Sequence, residues 1–188
     1  DVRYNDDGTV AAILPKHGAP ASVRKRILMD LNAAPYFTAD LVPNIGIVHD
    51  RYGVEVQRGC MRGCRFCQAG YIYRPERQRS PETIRKLVRE GIKKTGTEEY
   101  SLLSLSLGDY NCIEPLLLSL MDEHEDKKAA ISTPSMRLES VTPAIMDQIS
   151  RVRKTSFTVA PEAGSDRMRA VINKVIDENV LIEMVSQL

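Results

Sequence analysis

The chain has 188 residues, 26 Lys and Arg against 25 Asp and Glu, a formal net charge of +1, 43% hydrophobic residues and no tryptophan. That is the composition of an ordinary α/β protein with enough chain to bury a real core, and it excludes a disordered tail or a fibrous repeat. No apolar run approaches the ~20 residues of a membrane span, and Asp1 to Asn5 lack the basic-then-apolar pattern of an export signal, so a cytoplasmic protein is expected.

Val2 to Asn5 and Thr9 to Leu14, joined through Asp7-Gly8, predict a hairpin. Ser22 is placed to cap a short helix with Val23, Ile27, Leu28 and Leu31 on its apolar face, and Pro35 and Pro43 punctuate a connector. Residues 1–52 therefore read as a lead-in segment and residues 53–188 as the core. A start that is not methionine and an end inside an amphipathic pattern lead us to expect a piece of a longer protein, with the core truncated at its C-terminus.

From Gly53 the pattern repeats. Val54 to Gln57 predicts a short strand, followed directly by a cysteine loop. Ser80-Pro81 opens a helix with Ile84, Leu87, Val88 and Ile92 on one face and Gly96 as its stop, supported by the pairs Glu82–Lys86 and Glu90–Lys94. Tyr100 to Leu107 predicts a buried strand, and Asn111 with Glu114 a capping box for a helix through Met121. Ala129 to Thr133 predicts a third strand, Thr142-Pro143 the start of another helix, and Ser156 to Ala160 a fourth strand. Pro161 to Ser165 leads into helical sequence, and Asp177 caps a last helix.

Strands alternating with helices in this way form βαβ units and a parallel sheet. A closed eight-fold barrel takes about 250 residues, whereas four β/α units fit between Gly53 and Leu188. The expected fold is an incomplete parallel (β/α) barrel, a partial TIM barrel. Chemistry in such folds sits at the carboxyl ends of the strands. The cysteine loop, Gly108-Asp109, Pro134 to Arg137 and Pro161-Glu162 all fall there.

Cys60, Cys64 and Cys67 crowd three of the four cysteines into eight residues, which favours a metal site over disulfides. Thiolates at this spacing can wrap one face of a cubane [4Fe–4S] cluster and leave one iron open, as a catalytic centre requires. Gly59 and Gly63 allow positive φ, turning N–H groups toward sulfide, and Arg58, Arg62 and Arg65 are placed to moderate the cluster's negative charge. A zinc site completed by His49, Cys112 or His124 is the alternative, but none of these lies at the paired spacing of zinc ribbons. Cys112 otherwise reads as a small buried hydrophobe at a helix start. Between Arg58 and Arg79 stand six arginines against Glu76 alone, a block that either binds phosphates or forms a solvated basic loop.

Cys60, Cys64, Phe66 and Cys67, following the first core strand, resemble the CxxxCxΦC mark of the radical S-adenosylmethionine (radical SAM) superfamily. RGCMRGCRFCQAGYIYRPERQRS, SLLSLSLGDY, PSMR and TVAPEAGSDRMRAVINK are similar to a bacterial subfamily of unassigned substrate, some members of which have an upstream cobalamin-binding-type domain. The likeness runs from about His49 to Lys174 and reaches, more distantly, the methylthiotransferase and cobalamin-dependent branches. It implies a [4Fe–4S] cluster on the three cysteines that reductively cleaves S-adenosylmethionine to methionine and a 5′-deoxyadenosyl radical, which abstracts hydrogen from a substrate. It also implies a flavodoxin or ferredoxin as electron donor, and cobalamin only through a domain outside this chain.

The resemblance places Phe66 near the adenine. Where the superfamily often has Gly-Gly-Glu after the second strand, this chain has Leu107-Gly108-Asp109, so Gly108 and Asp109 are the candidates for the cofactor's amine. Ser135 and Arg137 follow the third strand, where a guanidinium can pair with the cofactor carboxylate, and Glu162 is a candidate acceptor for ribose hydroxyls or substrate. Arg167 and Arg169 share the next helix, where at most one can face the site. Two rival readings use the same residues: a zinc module gripping RNA through its arginines, and an electron carrier whose cluster has a fourth cysteine ligand. Cys112, 45 residues beyond Cys67, would have to be that ligand.

Overall fold

Tyr52, Val54 and Val56 alternate with Gly53, Glu55 and Gln57, and that period of two decides which face of the first core strand meets the helices. The computed structural model describes residues 1–134, 136–152 and 160–187. In it the strand β3 (Tyr52–Glu55) lies beside β6 (Glu99–Leu103), which lies beside β7 (Ala130–Ser132). Both pairings are parallel, with Tyr52 opposite Tyr100 and Tyr100 opposite Ile131. Before them come the hairpin β1 (Val2–Tyr4) and β2 (Val10–Ile13); between them come β4 (Gln57–Arg58), α1 (Gln68–Ile72), β5 (Arg77–Gln78) and α2 (Pro81–Thr95). The chain continues through α3 (Ile113–His124), α4 (Pro143–Ser150), α5 (Asp166–Val171) and α6 (Glu178–Gln187).

The crossover α2 shows why the sequence folds this way. Ser80 Oγ accepts from the Thr83 N–H at 3.2 Å, Pro81 takes the first helical position, and Gly96 ends the helix at φ +69° with its N–H on Ile92 O. Ile84, Leu87, Val88 and Ile92 bury their side chains against Tyr52, Val54, Tyr100 and Leu102. Leu116, Leu120 and Met121 of α3 and Ile145 and Ile149 of α4 extend the same core. Helix and sheet approach so closely that a Cβ built on Gly91 would overlap the Tyr52 ring. The other sheet face carries Gly53, Glu55, Ser101 and Leu103.

The three-stranded parallel sheet and its helices fit an incomplete barrel and show no closed one. The strand expected over Ser156 to Ala160 falls, apart from its last residue, outside the described residues, as does Ser135. Four local expectations are corrected. Residues 22–28 form no helix: Val23 is 84% exposed, and the Leu28 and Leu31 carbonyls accept from Arg77 and Arg79 instead of from a helical turn. The second core strand ends at Leu103, because its neighbours end at Glu55 and Ser132, and Leu107–Asp109 forms a 3₁₀ turn.

The third correction is at α3, where Cys112 takes the N-cap position with no side-chain cap bond and is exposed. Glu114 is drawn away to accept from Thr142 Oγ at 2.6 Å, and that hydroxyl in turn caps α4. The fourth concerns charge pairs on α2: Lys86 stands 4.0 Å from Glu90, while Lys94 donates to Thr38 Oγ at 2.6 Å and ties down the lead-in segment. Among the described residues no helix is long and apolar enough to cross a membrane.

Gly91→Ala tests the helix–sheet contact. Alanine at an exposed helical position would gain about 1 kcal/mol over glycine, but here its methyl meets a buried ring, and a net loss of about 1–3 kcal/mol is expected. Urea unfolding midpoints of the two proteins measure it.

Candidate metal centre

The segment that carries Cys60, Cys64 and Cys67 forms no regular hairpin, and the chain pinches it at the neck. Gln57 pairs antiparallel with Gln78 and Arg58 with Arg77, and Arg79 N–H bonds Val56 O at 2.9 Å. The neck continues β3 past its carboxyl end, which places the cysteines over the open end of the sheet. Gly59 starts the loop at φ +90°, and a Cβ there would stand 2.5 Å from Tyr73 O and 2.8 Å from Pro75 O. Gly63 follows at φ +70°.

The backbone serves the sulfurs. Arg62 N–H points at Cys60 Sγ at 3.5 Å, and Gly70 N–H, at the start of α1, at Cys67 Sγ at 3.4 Å. Arg137 Nη1 lies 3.9 Å from Cys64 Sγ. All three thiols are free, Cys60 buried and the other two half-buried. Burial pushes the Cys60 thiol pKa up, more than the Arg62 N–H pulls it down, so a metal must displace its proton on binding. N–H donors and a guanidinium around thiolates suit an anionic cluster. Among the described residues no group of three or more His, Cys, Asp or Glu is arranged to hold a single metal ion. A cubane makes a different demand, since each thiolate binds its own iron corner.

The arginines expected near the cluster do several different things. Arg58 is bidentate with Glu55, at 2.7 Å for each bond, and faces the sheet. Arg65 donates to the Val171 carbonyl. Arg62 is bidentate with Asp109, 2.7 Å from Nε to Oδ2, and lies 3.8 Å from Glu139. Glu139 also accepts from Arg137 Nε at 2.6 Å, so one chain of charges joins the second-strand loop, the cysteine loop and the third-strand loop. Burial raises the pKa of the Asp109 carboxyl, but the hydrogen bonds and positive charges around it, those of Arg62 foremost, together outweigh burial and hold the group below the usual carboxylate range. A Cβ on Gly108 would overlap Ser140, which is how closely the third-strand loop packs here.

The remaining arginines of the basic block are tied to backbone carbonyls. Arg77 and Arg79 are buried, Arg77 donating to Pro75, Leu28 and Tyr73 carbonyls and Arg79 to Glu55 and Leu31 carbonyls. Arg74 donates to Gly70 O and lies over the Tyr71 ring.

Other sequence-predicted residues are spread around this loop. Phe66 is 54% exposed. Glu162, at φ +65°, forms its ion pair with Lys174 at 2.9 Å. Arg169 is buried and tied to Asp166 and the Ala163 carbonyl, while Arg167 is exposed. Sequence reasoning missed Asn173, which sits at φ +56° and gives Nδ2 hydrogen bonds to Arg62 O and Gly63 O at 3.2 and 3.0 Å. Arg65 N–H reaches Ile172 O beside it. Asparagine just after a helical stretch was the available signal, since it enters the left-handed region more readily than other side chains.

A family model described as Radical SAM superfamily matches residues 54–188. An uncharacterized protein of Methanocaldococcus jannaschii is 38% identical over 126 residues, 66% of this chain and 27% of that protein. A protein of Treponema pallidum, named as a threonylcarbamoyladenosine tRNA methylthiotransferase, is 27% identical over 146 residues, 76% of this chain and 30% of its own length. The chain thus spans less than a third of these curated relatives.

Gly59→Ala should force the Tyr73 and Pro75 carbonyls apart and lose at least about 1 kcal/mol for its backbone alone, with less iron bound per chain after anaerobic reconstitution. Gly164→Ala, where a Cβ meets open space, is the control expected to change neither. The Asp109–Arg62 contact supports stability fully above the unfolded carboxyl pKa of about 4. It is lost as pH falls through the lower folded value, so Asp109→Asn should flatten that acid limb in pH-dependent unfolding.

Proposed function

Because the chain belongs to the radical SAM superfamily, we propose that Cys60, Cys64 and Cys67 hold the [4Fe–4S] cluster of an S-adenosylmethionine-cleaving enzyme. When bound, the cluster and cofactor supply one-electron cleavage of the sulfonium bond and a 5′-deoxyadenosyl radical that abstracts hydrogen from the substrate. The reading is carried by the pinched cysteine loop at the open end of the sheet, with N–H groups on two of its sulfurs and Arg137 beside the third. A small carrier such as a flavodoxin or ferredoxin supplies the electron.

The chain's own residues bind and orient. Arg137, fixed by Glu139, would offer its guanidinium to the cofactor carboxylate, while Ser135, the other candidate of that stretch, lies outside the described residues. Gly108 and Asp109 receive the amine; Asp109 keeps lone pairs free beyond those given to Arg62, and its ionised state suits a cation. Phe66 would pack against the adenine, and Glu162 would accept from hydroxyls on releasing Lys174. The lead-in segment, residues 1–52 apart from Tyr52 of β3, serves as support for the core rather than as part of the reacting site.

Anaerobic reconstitution of the full-length protein, then dithionite and S-adenosylmethionine, should yield 5′-deoxyadenosine; no product would overturn the reading. Cys64→Ala should abolish the cluster's visible absorbance and reduce product at least about a hundredfold. Retention of a full complement of iron would show that the ligand assignment is wrong.

A further inference from the structure

The period of two that sends Tyr52, Val54 and Val56 into the core sends Glu55 and Gln57 to the other face of the sheet. There, with Arg58, Gly59, Tyr73, Leu103, Ser104 and Leu105, they line a cavity of about 400 Å³. That is within the range of small-ligand sites, which are mostly apolar with a few placed polar groups. Leu103 and Leu105 are each 42% exposed and Tyr73 is 49% exposed, which leaves apolar surface on the cavity wall. The charges of Glu55 and Arg58 cancel in their bidentate pair, so the wall calls for no charge on a ligand.

Gln57 is the anomaly. It is 2% exposed, and neither its amide nitrogen nor its amide oxygen has a hydrogen-bond partner. Buried polar groups are nearly always satisfied, and one that is not calls for an explanation. A carboxamide offers a donor and an acceptor side by side and matches a flat edge that offers the reverse. Apolar walls, no net charge and an amide in want of such an edge describe one ligand chemistry.

We propose that this cavity seats a nucleobase of the substrate, with Gln57 pairing to an edge that carries a donor beside an acceptor. The inference deepens the proposed function by naming a substrate class for a cavity that adjoins the cysteine loop at Gly59, and it rests on that reading for the reaction but not for the binding. The shared chemistry has a second source, the adenine of S-adenosylmethionine, and the test separates the two.

The test uses the full-length protein, anaerobically reconstituted, with adenosine, guanosine, cytidine and uridine as probes in equilibrium dialysis, with and without S-adenosylmethionine. The wild type should bind at least one nucleoside with S-adenosylmethionine present, and Gln57→Leu should weaken that binding roughly tenfold or more. Gln57→Glu keeps the shape but offers acceptors only, so preference should move toward guanosine, whose N1–H and N2–H₂ present two donors side by side. That change of rank is one a merely structural role would not produce, and it decides the matter if the leucine variant fails to fold.

If Gln57→Leu weakens S-adenosylmethionine instead, and nucleosides compete with it, the edge is the cofactor's adenine and the substrate assignment is overturned. If no nucleoside binds below about 1 mM, or both variants bind as the wild type does, the site is overturned whether or not 5′-deoxyadenosine forms. Residue-57-dependent nucleoside binding without 5′-deoxyadenosine would uphold the site while the radical reading fails.

Discussion

The constraint on which the rest depends is the backbone of the cysteine loop. A segment without regular pairing leaves carbonyls that must find donors elsewhere or lie buried without them. Here guanidinium groups provide them. Arg77 gathers the Tyr73, Pro75 and Leu28 carbonyls, Arg79 gathers those of Glu55 and Leu31, and Arg74 takes that of Gly70. Arginine suits this work because its donors are fixed in one plane and its charge is weakly hydrated. The buried charge of Arg79 is balanced by Glu55 at 4.0 Å and by the Tyr36 ring at 5.0 Å.

The same groups join parts of the chain that sequence distance would separate. The lead-in segment has little core of its own, and its hairpin is almost wholly exposed. It is held by Leu31 in the interior, by Lys25 on the Ile72 and Arg74 carbonyls, and by Tyr36, whose hydroxyl joins Gly53 O to the Glu55 N–H. On the opposite side, the run Asp109, Arg62, Glu139, Arg137 fixes the loops after the second and third strands against the cysteines. The sheet sets where these loops emerge, and the ion pairs set how they face one another.

Much of this was legible in the sequence because it is local. Ser80-Pro81, the spacing of Ile84, Leu87, Val88 and Ile92, and Gly96 define α2 without help from the rest of the chain. The cysteine spacing and the two glycines are local as well. What escaped depends on partners far along the chain. The segment after Ser22 has a helical apolar period but no surface to bury it, and two arginines about fifty residues later take its carbonyls. Arg58, Arg62 and Arg65 were readable as positive charges near sulfur, but only folding shows that Glu55, Asp109 and Val171 engage them while Arg137 arrives beside Cys64. Asn111 and Glu114 had the right spacing for a capping box, yet Thr142 offered Glu114 a competing hydroxyl.

The hold of Asn173 on the cysteine loop has a consequence in time. Its two bonds span separations of 110 and 111 residues, and that of Arg65 to Val171 spans 106. Such distant contacts close late in folding, and on the ribosome the N-terminal part of a chain emerges first. The three thiols thus leave the ribosome well before the residues that finally shape their loop. During that interval they are open to oxygen and stray metals, which makes assembly of the centre a matter of order as well as affinity.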